Sequence, residues 1–167
     1  MIKDPISKEQ LHKQLMRVKK QGWMPHFDAA SAKSNLAIEV LLAVASRETN
    51  CSNIVGDKGH GRGIMQIDDR SHMEFISING NGMVPESNIR FGASLIRAYL
   101  DYYKNNIEAA IAAYNTGQKN VNNSIKAGRS VDSTTTEKNY SEDVLYRSKL
   151  IKELLQAGNY GQIIEKN

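Results

Sequence analysis

A chain of 167 residues is long enough for one domain with a real core and too short for two of ordinary size. Apolar residues make up 40% and charged residues 24%, and 22 basic against 18 acidic side chains leave a formal charge of only +4. The bases are scattered without interleaved aromatics, which argues against a nucleic-acid partner, while the mild positive field favours approach to an anionic polymer.

Cys51 is the only cysteine, so no intrachain disulfide can support folding. The start, Met1-Ile2-Lys3-Asp4-Pro5, lacks the apolar stretch of a signal peptide. The most apolar run, Leu36–Ala45, is too short to span a membrane and contains Glu39. The expectation is a chain made in a reducing cytoplasm, without membrane insertion, that reaches any external target by another export route.

Ser7 and Gln10 form a capping box, and Leu11, Leu15 and Val18 follow at helical spacing until Gly22. A short polar helix is predicted from His26 to Lys33. Ser34 or Asn35 is then placed to cap a helix that is apolar on nearly every side, Leu36–Ser46, the pattern of a central core helix. Residues 51–83 are rich in glycine and asparagine, and Gly63-Ile64-Met65-Gln66-Ile67 reads as a small strand among turns. Helical spacing returns after Pro85 with Ile89, Leu95, Ile96, Tyr99 and Tyr103. Further helices are predicted over Ile107–Tyr114, over Gln118–Ala127 before Gly128, and from Ser141 as cap to Ala157 with Gly158 beyond. Residues 129–139 form a polar, Thr-rich loop. The fold class is α+β: a helical domain with one small β insertion, its N-terminal helical segment at 1–34 and its core at 35–160, all within a single domain 1–167.

Glu48 ends the apolar helix, and Asp57 and Asp68 stand at either end of the glycine-rich turn that follows. The helix C-terminus is negative, so it opposes ionisation there, and partial burial adds to the effect. A carboxyl that keeps its proton near neutrality can act as a general acid beside an ionised partner, the pairing that glycosidic cleavage requires. The plainer alternative is that Glu48 pairs with Arg47 or a nearby lysine, and that the aspartates are turn formers. The glycines would let the backbone approach a sugar closely. The turn is no phosphate loop, because no Gly-Lys-Ser/Thr ending is present. Asp57, His60, Asp68 and His72 match no standard metal spacing, so neither metal nor cofactor is expected. Tyr114-Asn115 and Tyr140, at helix ends, suit sugar stacking and hydrogen bonding, or equally a buried tyrosine and a helix cap. Cys51 reads as a packing residue.

Four segments in order resemble goose-type lysozyme and the related lytic transglycosylases. Ala45-Ser46-Arg47-Glu48-Thr49 resembles the catalytic Ser-Arg-Glu-Ser motif, and Gly56-Asp57 through Gly63-Ile64-Met65-Gln66-Ile67-Asp68-Asp69-Arg70-Ser71-His72 resembles the Gly-Asp…Gly-Leu-Met-Gln-Val-Asp-Lys-Arg-Ser-His stretch. Ala112-Ala113-Tyr114-Asn115-Thr116-Gly117 is similar to Ala-Tyr-Asn-Ala-Gly, and Asn139-Tyr140-Ser141-Glu142-Asp143-Val144 to Asp-Tyr-Ala-Asn-Asp-Val. The loop between Glu48 and Asp57 is shorter than in the animal enzymes, and their signal peptide and disulfides are absent, a pattern closer to a bacterial or phage member.

The resemblance implies a lysozyme-like fold that cleaves the β-1,4 bond between N-acetylmuramic acid and N-acetylglucosamine. Glu48 would be the general acid, and Asp68 with Asp57 would hold the water for inversion. His72, Tyr114, Asn115 and Tyr140 would line the saccharide subsites, and backbone around Met65 and Gln66 would hold an acetamido group. The partner implied is peptidoglycan or a chitooligosaccharide, met by a monomer acting on the cell wall. The alternatives are a lytic transglycosylase that closes an anhydro ring, and a non-catalytic glycan-binding module.

Overall fold

A computed structural model describes residues 2–157. Eight helices run α1 Lys8–Lys20, α2 Met24–Ser34, α3 Ile38–Thr49, α4 Met73–Ile78, α5 Pro85–Tyr102, α6 Ile107–Thr116, α7 Gln118–Lys126 and α8 Tyr140–Gln156. Between α3 and α4 lies a three-stranded antiparallel sheet, β1 Val55–Gly56, β2 Gly61–Arg62 and β3 Ile67–Asp68, in chain order. The fold is therefore α+β, mostly helical, as the residue pattern requires.

In the centre, α3 buries Leu41, Leu42, Ala43, Val44 and Ala45 completely and packs on α8, α2 and α1. Each buried leucine contributes roughly 1.5–3 kcal/mol of hydrophobic stabilisation. Leu11, Leu15 and Val18 of α1 and Phe27 of α2 belong to the same apolar cluster as α3, α5 and α8. On α6 the buried alanines 109, 110, 112 and 113 let neighbouring helices come close, and α6 packs on α5, α7 and α8. No helix among the described residues is long and apolar enough to cross a membrane.

Local signals hold at several helix ends. The Ser7–Gln10 box closes reciprocally at 2.9 and 3.2 Å, and Gly22 follows α1 with φ +70°. Other expectations are corrected. Asn35 does not cap the start of α3; it ends α2 in the left-handed region at φ 50°, and the α3 N-cap is Ala37, which offers no side-chain bond. The segment Gly63–Gln66 is a turn joining β2 to β3, not a strand. Gly63 and Gln66 both have positive φ, 74° and 50°, which no strand tolerates. Helix α4 had no counterpart in the sequence pattern.

Ser141 does not cap α8 either. Asp132, buried in the preceding loop, accepts from the Ser141 and Glu142 N–H groups at 2.9 and 3.1 Å and from the Ser141 hydroxyl at 2.7 Å. It satisfies the orphan donors of the first turn from nine residues upstream. Gly158, expected beyond this helix, lies outside the described residues.

Candidate functional site

The end of α3 that carries Glu48 is held from two sides. Asn50 and Cys51 turn the chain with φ 51° and 57°, and their N–H groups bond back to Ser46 and Ala45 carbonyls at 3.0 and 3.1 Å. The Thr49 hydroxyl bridges the helix to the sheet loop, 3.1 Å from the Ala45 carbonyl and 3.0 Å from that of Ile64. From α1, Arg17 donates to the Asn50 carbonyl at 2.6 Å and to Ser52 Oγ at 2.9 Å. From α8, Arg147 donates to Ser46 Oγ at 2.8 Å. Cys51, fully buried with its thiol pushed up to about 12 by burial, is packing and no nucleophile.

Glu48 itself does not pair with Arg47. Arg47 turns instead to Asp143 and Glu137, each at 2.9 Å, with its guanidinium over the Tyr140 ring. The Glu48 carboxyl accepts a hydrogen bond from the Tyr140 hydroxyl. Burial pushes the Glu48 pKa up to about 7; the Tyr140 bond and the Arg47 field pull it back, and the Asp57 charge raises it further. Of the two causes expected from the sequence, the helix C-terminus and burial, burial is the larger.

Glu48, Asp57, Gln66, Asp68, His72, Tyr114 and Asn115 share one cleft of about 560 Å³. Arg70 clamps the two aspartates: it reaches Asp57 Oδ2 at 2.7 Å, Asp68 Oδ1 at 3.0 Å and Asp68 Oδ2 at 2.9 Å. That side-chain contact, with the Arg70 N–H at 2.8 Å, holds the Asp68 carboxyl below the usual carboxylate range. Asp68 is therefore ionised in the same cleft as a Glu48 that retains its proton up to about pH 7, the division of labour that acid-assisted cleavage needs. Burial lowers the His72 pKa, with the Asp68 charge opposing, which favours the neutral ring. His60 turns to Asp69 at 2.9 Å, away from any shared ligand set, and among the described residues no group of His, Cys, Asp and Glu is placed to hold a metal.

Two of the expected sugar contacts, Tyr140 and Met65, are placed differently. Tyr140 is 1% exposed and stands behind Glu48, not in the cleft lining. Met65 is fully buried, and both its backbone groups are engaged: the N–H with Asn88 Oδ1 at 2.8 Å and the carbonyl with the Tyr114 hydroxyl at 2.7 Å. Gln66 does line the cleft, but its amide folds back onto the Ile54 and Gly63 carbonyls at 3.1 and 2.8 Å. A Cβ at Gly56 or Gly61 would come within 2.2 Å of Gln66 Oε1, so those glycines make room for this side chain rather than for a sugar. Asn115 faces the cleft paired with Thr136, accepting from its N–H at 2.9 Å.

Residues 25–136, about two thirds of the chain and all of the cleft, match the family model described as Transglycosylase SLT domain. This chain belongs to that family. Among its relatives, Lysozyme g of Struthio camelus is 28% identical over 123 residues, covering 68% of this chain and 58% of that protein. Lysozyme g of Takifugu rubripes is 32% identical over 132 residues, covering 68% of this chain and 65% of the relative. The chain thus spans about three fifths of the length of the curated relatives it matches. An inactive mutant of lytic transglycosylase Slt from Pseudomonas aeruginosa shares the fold at TM-score 0.68 and 18% identity, over 91% of this chain and 31% of that one.

Two residues that shape the SLT cleft receive no role from the sequence: Asn88 lies outside every motif, and Arg70 lies inside one without a role assigned to it. Asn88, fully buried on α5, donates to the Arg62 and Gly82 carbonyls at 2.8 and 2.9 Å while accepting from Met65, so one amide fixes the whole glycine loop. Arg70 sets the spacing of the two aspartates, and its place two residues after Asp68 was the available clue.

Tyr140→Phe provides a graded test of the Glu48 environment. Removing a bond that favours the carboxylate raises the Glu48 pKa further. The alkaline limb of the pH–activity profile should move to higher pH, with activity at its maximum reduced by roughly tenfold as the carboxyl loses its anchor. An alkaline limb that stays in place would show that Tyr140 does not act on Glu48.

Proposed function

We propose that this SLT domain cleaves the β-1,4 bond between N-acetylmuramic acid and N-acetylglucosamine in peptidoglycan. The observation that carries the reading is Glu48: a carboxyl with its pKa near 7, anchored by Tyr140, opening on a cleft that holds Asp57 and ionised Asp68. Protonated Glu48 gives its proton to the glycosidic oxygen as the bond breaks. Positive charge then grows on the muramic sugar opposite the two aspartates. Water held by them attacks the other face, giving inversion. Asp57 takes the larger part in this reading, because its charge contributes to the raised Glu48 pKa and Arg70 engages only one of its oxygens. Asp68 gives both oxygens to Arg70 and is the weaker base. Gln66, His72, Tyr114 and Asn115 would flank the bound saccharide.

The same Arg70 grip favours a second reading, lytic transglycosylation, in which the muramic 6-hydroxyl closes an anhydro ring and no strong base on water is required. Mass spectrometry of products from purified peptidoglycan separates the two. Reducing-end muramic acid, falling by about 10²-fold in Asp57→Asn and by roughly tenfold in Asp68→Asn, supports inverting hydrolysis. Anhydro-muramic products, with Asp57→Asn still active, support the transglycosylase. No product from the wild type, on walls that a known muramidase digests, contradicts both and leaves a glycan-binding module.

A further inference from the structure

His72, a cleft residue, sets its ring edge-on against Phe91 with centroids 5.2 Å apart, and Phe91 is stacked on Phe75 at 4.1 Å and 11°. Phe75 and Phe91 in turn line a second cavity, of about 390 Å³, together with Lys33, Asn79, Arg90 and Arg97. It lies where the end of α2 meets α4 and α5, and on α5 Arg90, Ser94 and Arg97 share one helical face.

The lining holds three cations and no carboxylate. Among the described residues, Arg97 pairs with Asp101, whereas Arg90 and Lys33 have neither an ion pair nor a side-chain hydrogen bond. The neutral donors are already engaged: the hydroxyls of Ser34, Ser87 and Ser94 bond to the Ala30, Val84 and Phe91 carbonyls, and the Asn79 amide bonds to that of Phe75. Arg90 and Lys33 therefore remain to meet a ligand. Like charges around one small cavity repel, and an anion from outside relieves that repulsion. A guanidinium holds a carboxylate through two parallel hydrogen bonds, and the stacked phenylalanines offer an apolar surface to an aliphatic chain.

We propose that this cavity binds a carboxylate of the peptide borne by the glycan strand, so that the domain reads peptide as well as sugar. The inference rests on the peptidoglycan reading of the cleft, to which the cavity is joined through His72 and Phe91. Binding there adds to substrate affinity without touching the bond that breaks.

The test compares wild type with an Arg90→Ala, Lys33→Ala double variant, both positions being exposed and outside the core. Peptidoglycan with intact peptides should show KM raised by roughly tenfold and kcat little changed, while peptide-free glycan of the same length should show no difference. Equal effects on both substrates, or none on either, would overturn the proposal. A titration needing no turnover follows the arginine Nε–H signals by NMR with a free tetrapeptide ending in a carboxylate. Shifts at Arg90 that are absent with the amide-capped peptide support the site. Shifts only with a phosphate polymer, or none, overturn it. If the wild type cleaves no wall material yet the peptide still shifts Arg90, the cleavage reading fails and the peptide site stands.

Discussion

Glu48→Gln should lower glycan cleavage by about 10²–10⁴-fold while making the protein more stable above pH 7. The loss follows from the proton: a glutamine at this position can accept the Tyr140 hydrogen bond but has no acid to give. The gain in stability follows from linkage. Burial raises the Glu48 pKa from 4.5 to about 7. Between those values the unfolded carboxyl has lost its proton and the folded one has kept it. Stability therefore falls with rising pH across that window and levels off above it. At pH 4.5 and below, a neutral glutamic acid and a glutamine differ little, so the melting temperatures should coincide. Above pH 7 the variant should be ahead by ~3 kcal/mol, or roughly 6–12 °C in Tm. Thermal unfolding at several pH values checks this; a constant difference at all pH would mean that the carboxyl is not held protonated by the fold. Wild-type activity should decline above pH 7 for the same reason, as the acid ionises.

Asp143→Ala should cost ~3–5 kcal/mol, the largest loss of stability expected from a single polar side chain here. Asp143 is 5% exposed and lies 2.9 Å from Arg47 on α3 and 3.0 Å from Arg147 within α8. Its removal leaves two guanidinium groups, 17% and 12% exposed, close together without their shared counter-charge. The effect extends further, because Arg147 donates to Ser46 Oγ, Ser46 to Gln14 Oε1, and Gln14 to Asn50 Oδ1, which links α8 through α3 to α1. Glu137→Ala is the matched control. Its carboxylate also meets Arg47, yet it is 70% exposed, and its loss should cost under about 1 kcal/mol. Urea unfolding of the two variants measures the contrast, and equal costs would contradict the assignment of Asp143 as the buried hub.

What could be read from the residues alone was what is local. The Ser7–Gln10 box and the apolar run of α3 lie within a few positions of the structure they specify. Glu48, Asp57 and Asp68 could be placed around one cleft because a core helix and a short glycine loop leave them little else to do. The errors are non-local. Asp132 caps α8 across a loop, and Asn88 pins a turn from another helix, so neither leaves a mark at the position it controls. In the stretch 63–67 the residues Ile64 and Met65 are both fully buried, so burial runs in succession there and does not alternate as a strand would. For Tyr140 the sequence left a sugar-stacking aromatic and a buried tyrosine open, and the close packing of α8 on α3 makes it the latter, 1% exposed and facing Glu48. The glycines at 56 and 61 looked like room for substrate, and that room is filled by the Gln66 amide.

The fold raises the pKa of one carboxyl, that of Glu48, to about 7 at the edge of a cleft of about 560 Å³. The most direct measurement is a ¹³C NMR titration of the glutamate carboxyls in the wild type, with the Glu48 signal assigned by its disappearance in Glu48→Gln. A midpoint about 7 is expected, well above the ordinary 4.5. A midpoint at the ordinary value would contradict the claim, since Glu48 would then be ionised at neutral pH and unable to serve as the acid.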